Sequence, residues 1–336
     1  MKIVIDAFGG DNSPEEIVEG AVLAIQKHKD LQIILTGKTE KIKQVLNGRE
    51  ERIEIVEAPD IISNDDVPTE AIRRKKESSL VKAFDLLKEN EDVVALVSAG
   101  STGAILTGAI MKIGRIKGVH RPALAPVLPT KTENDVIIID SGANIDCKPQ
   151  NLYQFGIMGS AYYSAMYNMD KPKVGLLNIG VEEHKGTEMV REAYALLKKA
   201  PVNFVGNVEA REALSGDVQI IVADGFAGNV LVKGCEGAVK TVMSILKTSI
   251  KSHFWSKIGA MFMGKSFKEI KNKIGGKQDV HGGSPFLGCK KIVMKNHGSS
   301  TRKNILASVD QAITLYENKL IEKIEESINL EVQPNE

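Results

Sequence analysis

The stretch Val222-Ala-Asp-Gly-Phe-Ala-Gly-Asn-Val-Leu-Val-Lys233 joins a β-branched apolar run to a long amphipathic segment. The run 218–222 is typical of a buried strand, and it ends at Asp224-Gly225. A glycine-containing turn follows, and hydrophobic residues then recur at helical spacing. Because this order brings backbone N–H groups and a helix N-terminus to one point, it favours a bound anion. The residues predicted to bind it are Asp224, Gly225, Gly228 and Asn229.

The same order of elements recurs along the chain. Apolar runs at 2–5, 93–97 and 136–139 each end in a turn rich in Gly, Asn or Asp, and a helical pattern follows. This alternation predicts an α/β fold with a mostly parallel sheet covered by helices on both faces. Ligands in such folds sit outside the carboxyl ends of the strands, so we expect the turns to assemble one site.

Two helix starts are also predicted from the sequence. Ser13-Pro14-Glu15-Glu16 has the pattern of an N-cap serine, a proline at the first helical position and a glutamate at the third. Thr187 is expected to cap a later helix in the same way.

Composition limits the classes of protein that the chain could be. Its 336 residues are 43% hydrophobic, enough for a large core, so one α/β domain or two closely packed lobes would fit. Of these we predict a single α/β catalytic domain over residues 1–336. The 44 basic and 43 acidic residues leave a net charge of +1, which gives no reason to expect nucleic acid as a partner. Three widely spaced cysteines are expected to be reduced thiols of a cytoplasmic protein. Neither a signal peptide nor a membrane span of about 20 residues is expected.

The glycine clusters do not match nucleotide-binding motifs. Gly100-Ser-Thr-Gly103 lacks the G-x-G-x-x-G order, and the segment closest to a P-loop has Val239 where glycine is needed. The first cluster still offers N–H groups and two hydroxyls before a helix, so Gly100, Ser101, Thr102 and Gly103 are predicted to bind a small anion. A turn that serves only tight packing of strand and helix is the alternative.

Several polar residues follow predicted strands. The aspartates are Asp6, Asp11, Asp140, Asp146 and Asp224. They could hold a metal or bond to their own turns, and the second is the commoner case for aspartate. The histidines show no zinc spacing, and no metal is predicted. His297 could reach the site or cap its turn. Lys185 could neutralise an oxyanion or phosphate, or it could be an ordinary loop lysine.

Residues 240–274 differ in kind from the rest. They contain eight lysines and one acidic residue, with a tip that carries the only tryptophan of the chain. Apolar bulk beside lysines fits an amphipathic helical hairpin that protrudes from the domain and lies on a membrane surface. Packing on the body or on a second copy is the alternative. The residues predicted to contact the membrane are Phe254, Trp255, Ile258, Met261 and Phe262.

With these motifs in order, the chain resembles the bacterial fatty acyl-acyl carrier protein:phosphate acyltransferases, the PlsX family, from end to end. The motifs that carry the resemblance are Asp6-Ala-Phe-Gly-Gly-Asp11, Ser98-Ala-Gly-Ser-Thr-Gly-Ala104, Arg121-Pro-Ala-Leu-Ala-Pro126, Asp140-Ser-Gly-Ala-Asn144, Gly175-Leu-Leu-Asn178, Lys185-Gly186, Gly206-Asn-Val-Glu209, Asp224-Gly-Phe-Ala-Gly-Asn229 and His297-Gly-Ser-Ser300. Ser101 departs from the asparagine that is usual in the family.

The resemblance implies transfer of a long acyl chain from acyl carrier protein to inorganic phosphate. It also implies a homodimer, no cofactor, and a fold like the isocitrate/isopropylmalate dehydrogenases and phosphotransacetylases. The acyl-phosphate product would pass to a membrane glycerol-3-phosphate acyltransferase, so the enzyme would be cytoplasmic and peripherally associated with the inner face of the membrane. A phosphotransacetylase that uses acyl-coenzyme A, a decarboxylating dehydrogenase and a non-catalytic membrane scaffold are the alternatives.

Within this reaction we predict charge neutralisation by Lys185, orientation of the substrate by Asn178 and thiolate protonation by His297. Asp6, Asp11 and Asn144 complete the predicted phosphate and substrate site. The basic run 73–76 is expected either to dock acidic acyl carrier protein or to be a solvated helix face.

Overall fold

The computed structural model describes residues 1–253, 255–256, 260, 262–271 and 282–329. In this part of the chain, twelve strands form two sheets. The strands are β1 (Lys2–Asp6), β2 (Gln32–Gly37), β3 (Ile53–Glu57), β4 (Val93–Ser98), β5 (Ala123–Leu124), β6 (Val127–Leu128), β7 (Val136–Ile139), β8 (Lys173–Asn178), β9 (Asn203–Glu209), β10 (Ile220–Val222), β11 (Ser284–Leu287) and β12 (Ile292–Lys295). The helices are α1 (Glu15–Lys27), α2 (Thr39–Leu46), α3 (Pro68–Arg74), α4 (Ser79–Glu89), α5 (Thr102–Gly108), α6 (Pro149–Tyr167), α7 (Glu188–Leu197), α8 (Gly225–Ser252), α9 (Gly264–Lys271), α10 (Arg302–Glu317) and α11 (Leu320–Asn329).

The two sheets divide the strands between them. The first has the order β3-β2-β1-β4-β12-β11-β5, parallel from β3 to β12, with β11 antiparallel to both of its neighbours. The second has the order β6-β7-β10-β8-β9 and is parallel except for β6. The predicted α/β fold with mostly parallel strands is confirmed. Its division into two sheets is a feature of the structure that the strand patterns do not reveal.

Helix α6 joins the two halves of the core. Phe155 and Tyr162 on this helix are fully buried, in a cluster that includes residues of both sheets. Small residues let the helix lie against the second sheet, since a Cβ added at Gly159 would stand 2.7 Å from Ile220 Cγ2. Close packing of this kind fixes the relative position of the two sheets, and hence of their strand ends.

One predicted helix start is wrong in its details. Helix α1 begins at Glu15, and the Ser13 hydroxyl donates to the carbonyl oxygen of Gly10 at 2.9 Å without capping the helix. Glu16 accepts a hydrogen bond from the backbone N–H of Arg302 at 2.7 Å and also pairs with its guanidinium group, so a tertiary contact has replaced the local capping box. The Thr187 cap is confirmed, because its hydroxyl accepts from the Val190 N–H at 3.3 Å.

Helix α8 begins at Gly225 and continues through residue 240, where the hairpin was predicted to start. Beyond it, Trp255 is 80% exposed and Phe262 is 87% exposed. Phe254, Ile258 and Met261 lie outside the described residues. Among the helices of the described part, none is long and apolar enough to cross a membrane.

Candidate active site

Asp6, at the end of β1, is 2% exposed and organises the first glycine-rich loop. Its Oδ2 accepts a hydrogen bond from Ser98 Oγ at 2.7 Å, and Ser98 Oγ accepts one from the Gly100 N–H at 3.0 Å. Burial raises the pKa of Asp6, and the hydrogen bonds that it accepts oppose that rise. The carboxyl group of Asp6 therefore fixes, through Ser98, the conformation of the loop after β4.

Asp140, at the end of β7, has the equivalent place in the second sheet. It is fully buried, and its Oδ1 accepts from the backbone N–H groups of Leu124 at 2.9 Å and Ser141 at 2.7 Å. Its Oδ2 accepts from both the backbone N–H of Asn144, at 2.6 Å, and the side-chain amide, at 2.9 Å. Burial raises the pKa of Asp140, opposed by these donors. The buried Asn144 amide also donates to Pro122 O at 2.7 Å, so the hydrogen bonds of its N–H groups are made to protein atoms of neighbouring turns.

The first N–H groups of α8 already have partners. Asp224 Oδ1 accepts from Phe226 N at 2.9 Å and Ala227 N at 2.8 Å, while Gly225 N donates to Asn144 O at 2.7 Å. A carboxylate at this position is a strong N-cap. The negative charge that the sequence pattern favours at this helix end is thus supplied by Asp224 itself.

Two glycines in the first turn of α8 allow it to lie against the turn after β7. A Cβ at Gly228 would stand 1.9 Å from Asp140 O, and one at Gly225 would stand 2.5 Å from Asn144 O. Both distances are shorter than any normal contact. These glycines therefore allow the close approach of helix and turn.

A cleft of about 810 Å³ is bounded by both sheets and by the flank of α8. Three of the predicted site residues, Thr102, Asn229 and His297, line it together. Ser141 and Gly142 contribute from the turn that Asp140 holds. The loop after β4 and the start of α8 thus converge on one space, as the strand-end pattern predicts.

One wall of the cleft is apolar. Val232 on α8 packs in a cluster with Leu128 and Leu214 of the second half of the fold. Val239 and Met243 line the cleft further along α8. With 100° of rotation per residue, these three α8 side chains fall on one side of the helix, directed towards the second sheet.

The other wall is basic. Lys233 and Lys240 lie on the adjoining face of α8 and line the cleft together with Lys295 and His297. Lys233 pairs with Glu236 at 3.0 Å, one turn further along the helix. Three lysines against a single carboxylate make this wall electropositive, so it attracts anions.

Lys295, at the carboxyl end of β12, is the most perturbed cation of this wall. Burial, with a smaller contribution from the charge of Lys233, lowers the pKa of Lys295 to about 8, and Asp11 opposes this change. Its ammonium group donates to the carbonyl oxygen of Asn296. Among the described residues, no carboxylate lies within 4.0 Å of it, so its charge is not balanced by an ion pair there.

The ring of His297 has a defined tautomer when neutral. Its Nδ1 accepts from the Ser299 backbone N–H at 3.3 Å and lies 2.8 Å from Ser299 Oγ. Because a backbone N–H can only donate, the proton of the neutral ring is on Nε2. Partial burial lowers the pKa of His297, as do the charges of Lys233 and Lys295. The ring therefore offers a neutral N–H donor near pH 7.

Asn178 ends β8 and Lys185 lies in the turn that follows, and neither residue lines the cleft. Asn178 Oδ1 accepts from Ile179 N at 2.8 Å, and its Nδ2 donates to Lys185 O at 3.1 Å. The Asn178 side chain thus holds the turn that carries Lys185. The catalytic roles expected of both residues stay predictions.

The other residues predicted to bind phosphate or substrate do not line the cleft, and they are Asp6, Asp11, Gly100, Ser101, Gly103, Asn144, Asp224, Gly225 and Gly228. Among the residues that the structure describes, no three His, Cys, Asp or Glu side chains are grouped so as to hold a metal ion.

Lys295 and Lys233 line the cleft, and neither is among the site residues predicted from the sequence. A signal for Lys295 was available, because it ends an apolar strand two residues before His297. Lys233 follows the apolar stretch at the start of α8, and only the packing of that helix shows that it faces the cleft.

The arrangement of helices and strands is shared with solved acyl-transferring enzymes. A phosphotransacetylase from Streptococcus pyogenes superposes with a TM-score of 0.60 at 18% identity, covering 94% of each chain. A branched-chain phosphotransacylase from Enterococcus faecalis gives 0.58 at 14% identity, covering 93% of this chain and 98% of the other. At such low identity the likeness establishes the fold alone, and the chain is an α/β protein with the fold that these two structures share.

The sequence comparison is more specific. The family described as "Fatty acid synthesis protein" matches residues 1–323, and the chain belongs to that family. A phosphate acyltransferase of Clostridium tetani is 48% identical over 335 residues, covering 98% of this chain and 99% of the relative. One of Clostridium acetobutylicum is 48% identical over 327 residues, covering 96% and 98%. The predicted family and enzyme class are confirmed.

Proposed function

We propose that this enzyme transfers a long-chain fatty acyl group from acyl carrier protein to inorganic phosphate, forming acyl-phosphate for membrane phospholipid synthesis. The observation that supports this proposal is the pairing of an apolar wall with a basic wall in one cleft. A fatty acyl chain gains free energy by burial against the first wall, and phosphate is attracted to the second. The thioester carbon would lie where the walls meet.

The chemistry requires little activation of the nucleophile. A phosphate oxygen attacks the thioester carbonyl carbon, a C–O bond forms, and the C–S bond breaks as the tetrahedral intermediate collapses. The leaving thiolate takes the proton that hydrogen phosphate gives up as acyl-phosphate forms. A neutral imidazole is too weak an acid to supply that proton itself, so the Nε2–H of His297 is our candidate for a hydrogen bond to the leaving sulfur. Thr102 and Asn229 line the same cleft, and we assign to them the hydrogen bonds to the substrate oxygens.

A short-chain phosphotransacetylase that uses acyl-coenzyme A is the second candidate, and the shared fold favours it. An acetyl group would leave the apolar wall without a ligand, however, and Val239 and Met243 would serve no purpose there. A non-catalytic membrane scaffold would leave the basic wall unexplained.

The wider setting is also proposed. Exposed Trp255 and Phe262 support contact with a membrane surface, which suits an insoluble product taken up by a membrane glycerol-3-phosphate acyltransferase. A cytoplasmic homodimer bound peripherally to the inner face of the membrane is the arrangement that we propose.

The basic run at the end of α3 is our candidate for docking acyl carrier protein. Arg74 and Lys75 pair with Glu70 and Asp66 respectively, whereas Arg73 is exposed. We expect charge reversal at Arg73 to raise KM for the acyl carrier protein donor about threefold to tenfold, because a rim charge steers encounter. KM for phosphate should not change. An unchanged donor KM would show that this surface is a solvated helix face.

The function itself is tested with purified protein, palmitoyl-acyl carrier protein and phosphate, with thioester followed over time. We expect loss of thioester only when phosphate is present, with acyl-phosphate as product. Acetyl-coenzyme A serves as the competing donor. Faster turnover of acetyl-coenzyme A would favour the phosphotransacetylase alternative, and no turnover of any donor would refute the proposal.

A further inference from the structure

Two lysines from different elements converge on the basic wall. Lys295 ends β12 in the first half of the fold, and Lys233 projects from α8, which follows β10 of the second sheet. Both line the cleft, and the charge of one perturbs the other. Like charges brought together at a partly buried position repel unless an anion lies between them.

The two lysines differ in what balances them. Lys233 has Glu236 at 3.0 Å. Across the described ranges, Lys295 has only the backbone carbonyl of Asn296 as a hydrogen-bond acceptor. A partly buried ammonium group without an ion-pair partner costs free energy, because it loses hydration and gains no opposite charge. A bound anion would supply that charge, and the strand end would hold the ammonium group in position to meet it.

We propose that Lys295 and Lys233 bind the acceptor substrate, doubly charged inorganic phosphate, with Lys295 as the main ligand. The proposal rests on the proposed function and names the residues that hold its acceptor. It assigns the neutralising role to the end of β12, whereas the sequence alone suggested Lys185.

A phosphate group could also come from the phosphopantetheine arm of the acyl donor. That phosphate is separated from the thioester by the full length of the pantetheine arm. The lysines, in contrast, share their wall with His297, which faces the leaving sulfur in our scheme. Because the acceptor must meet the thioester carbon next to that sulfur, we assign the site to the acceptor.

The test compares Lys295→Gln, which removes the charge, with Lys295→Arg, which keeps it. We expect Lys295→Gln to raise KM for phosphate about tenfold to a hundredfold, with KM for palmitoyl-acyl carrier protein within about twofold of wild type. Lys295→Arg should recover most of the phosphate affinity. Lys290→Gln, an exposed change just before the same strand, is the matched control and should behave as wild type.

Phosphate binding is also measured without turnover, by equilibrium dialysis with radiolabelled phosphate. Wild type should bind, and Lys295→Gln should bind about tenfold or more weakly. Since Lys295 is partly buried, Lys233→Gln at an exposed position provides a second variant that is expected to fold, and it should weaken binding in the same direction. If both variants bind phosphate as wild type does, or if the donor KM rises in place of the phosphate KM, the proposal is wrong. Lysine-dependent phosphate binding by a wild-type protein that turns over no donor would refute the proposed function alone.

The pH dependence gives an independent readout. The charged groups around Lys295 are Asp11 after β1, His297 on its own loop, and Lys233, Glu236 and Lys240 on α8. Because burial lowers the pKa of Lys295 to about 8, its charge is lost as pH rises through that value. Phosphate affinity should fall over the same range in wild type. Lys295→Arg should hold its affinity to higher pH, and identical profiles for the two proteins would contradict the assignment.

Discussion

At the scale of single residues, the buried aspartates hold the loops of the site in place. Asp140 accepts hydrogen bonds from the turn after β7 on both carboxylate oxygens. Asp6 does the same for the loop after β4 through Ser98. Asp6 and Asp140 belong to motifs on which the family resemblance rests, yet both hold loops and neither lines the cleft. Membership of a motif alone therefore does not separate ligands from supports.

The Asp140 network can be tested by Asp140→Asn. Burial raises the pKa of Asp140, so its charge carries a cost that the substitution removes. The side-chain amide of the new asparagine, however, would direct its own N–H groups at the N–H groups of Asn144, which now donate to Asp140. We expect the free energy of unfolding to fall by about 2–4 kcal/mol, measured by urea denaturation. Asp146→Asn, on an exposed carboxylate of the same turn region, should change it by no more than about 0.5 kcal/mol. Equal stability of both variants would show that the network contributes little.

At the scale of elements, helix α8 connects both halves of the site. Its first turn fits against the turn after β7 through Gly228, and its later turns separate the apolar wall from the basic wall. A methyl group added in the first turn would push the helix outward. Asn229, Lys233 and the side chains of the apolar wall would then be displaced together.

The two kinds of glycine in α8 give a matched pair of substitutions. Gly228→Ala places a Cβ 1.9 Å from Asp140 O, and we expect it to lower the free energy of unfolding by about 2–3 kcal/mol and to reduce turnover. Gly234→Ala meets nothing within 4 Å in the described structure, so it should raise stability by about 0.5–1 kcal/mol through helix propensity. Thermal unfolding of the two variants measures the difference. A neutral Gly228→Ala would mean that the helix and turn can separate without cost.

At the scale of the whole molecule, the order of strands, turns and helices could be predicted, and the cleft could not. Each strand end has a local signature, since Asp224-Gly225 and Gly100–Gly103 stop an apolar run in recognisable ways. The cleft depends on which strand ends become neighbours, and the division into two sheets sets this through long-range packing by α6. Lys295 lines the cleft because of this long-range packing. Glu16 likewise does not form the predicted capping box, because Arg302 lies beside it in the fold and donates to it.

The two-walled cleft also predicts how acyl-chain preference can be changed. Met243 lines the far part of the apolar wall, so Met243→Trp should shorten the space available to a long chain. We expect kcat/KM for palmitoyl-acyl carrier protein to fall about tenfold or more, with the value for an octanoyl donor nearly unchanged. Ile245→Trp is the control, because Ile245 is 61% exposed and lies on the opposite side of α8 from the cleft. Competition between the two donors in one reaction measures the ratio directly. If Met243→Trp lowers kcat/KM equally for both donors, the acyl chain does not follow this wall. If Ile245→Trp also lowers kcat/KM for both donors, the substitutions have damaged the helix itself.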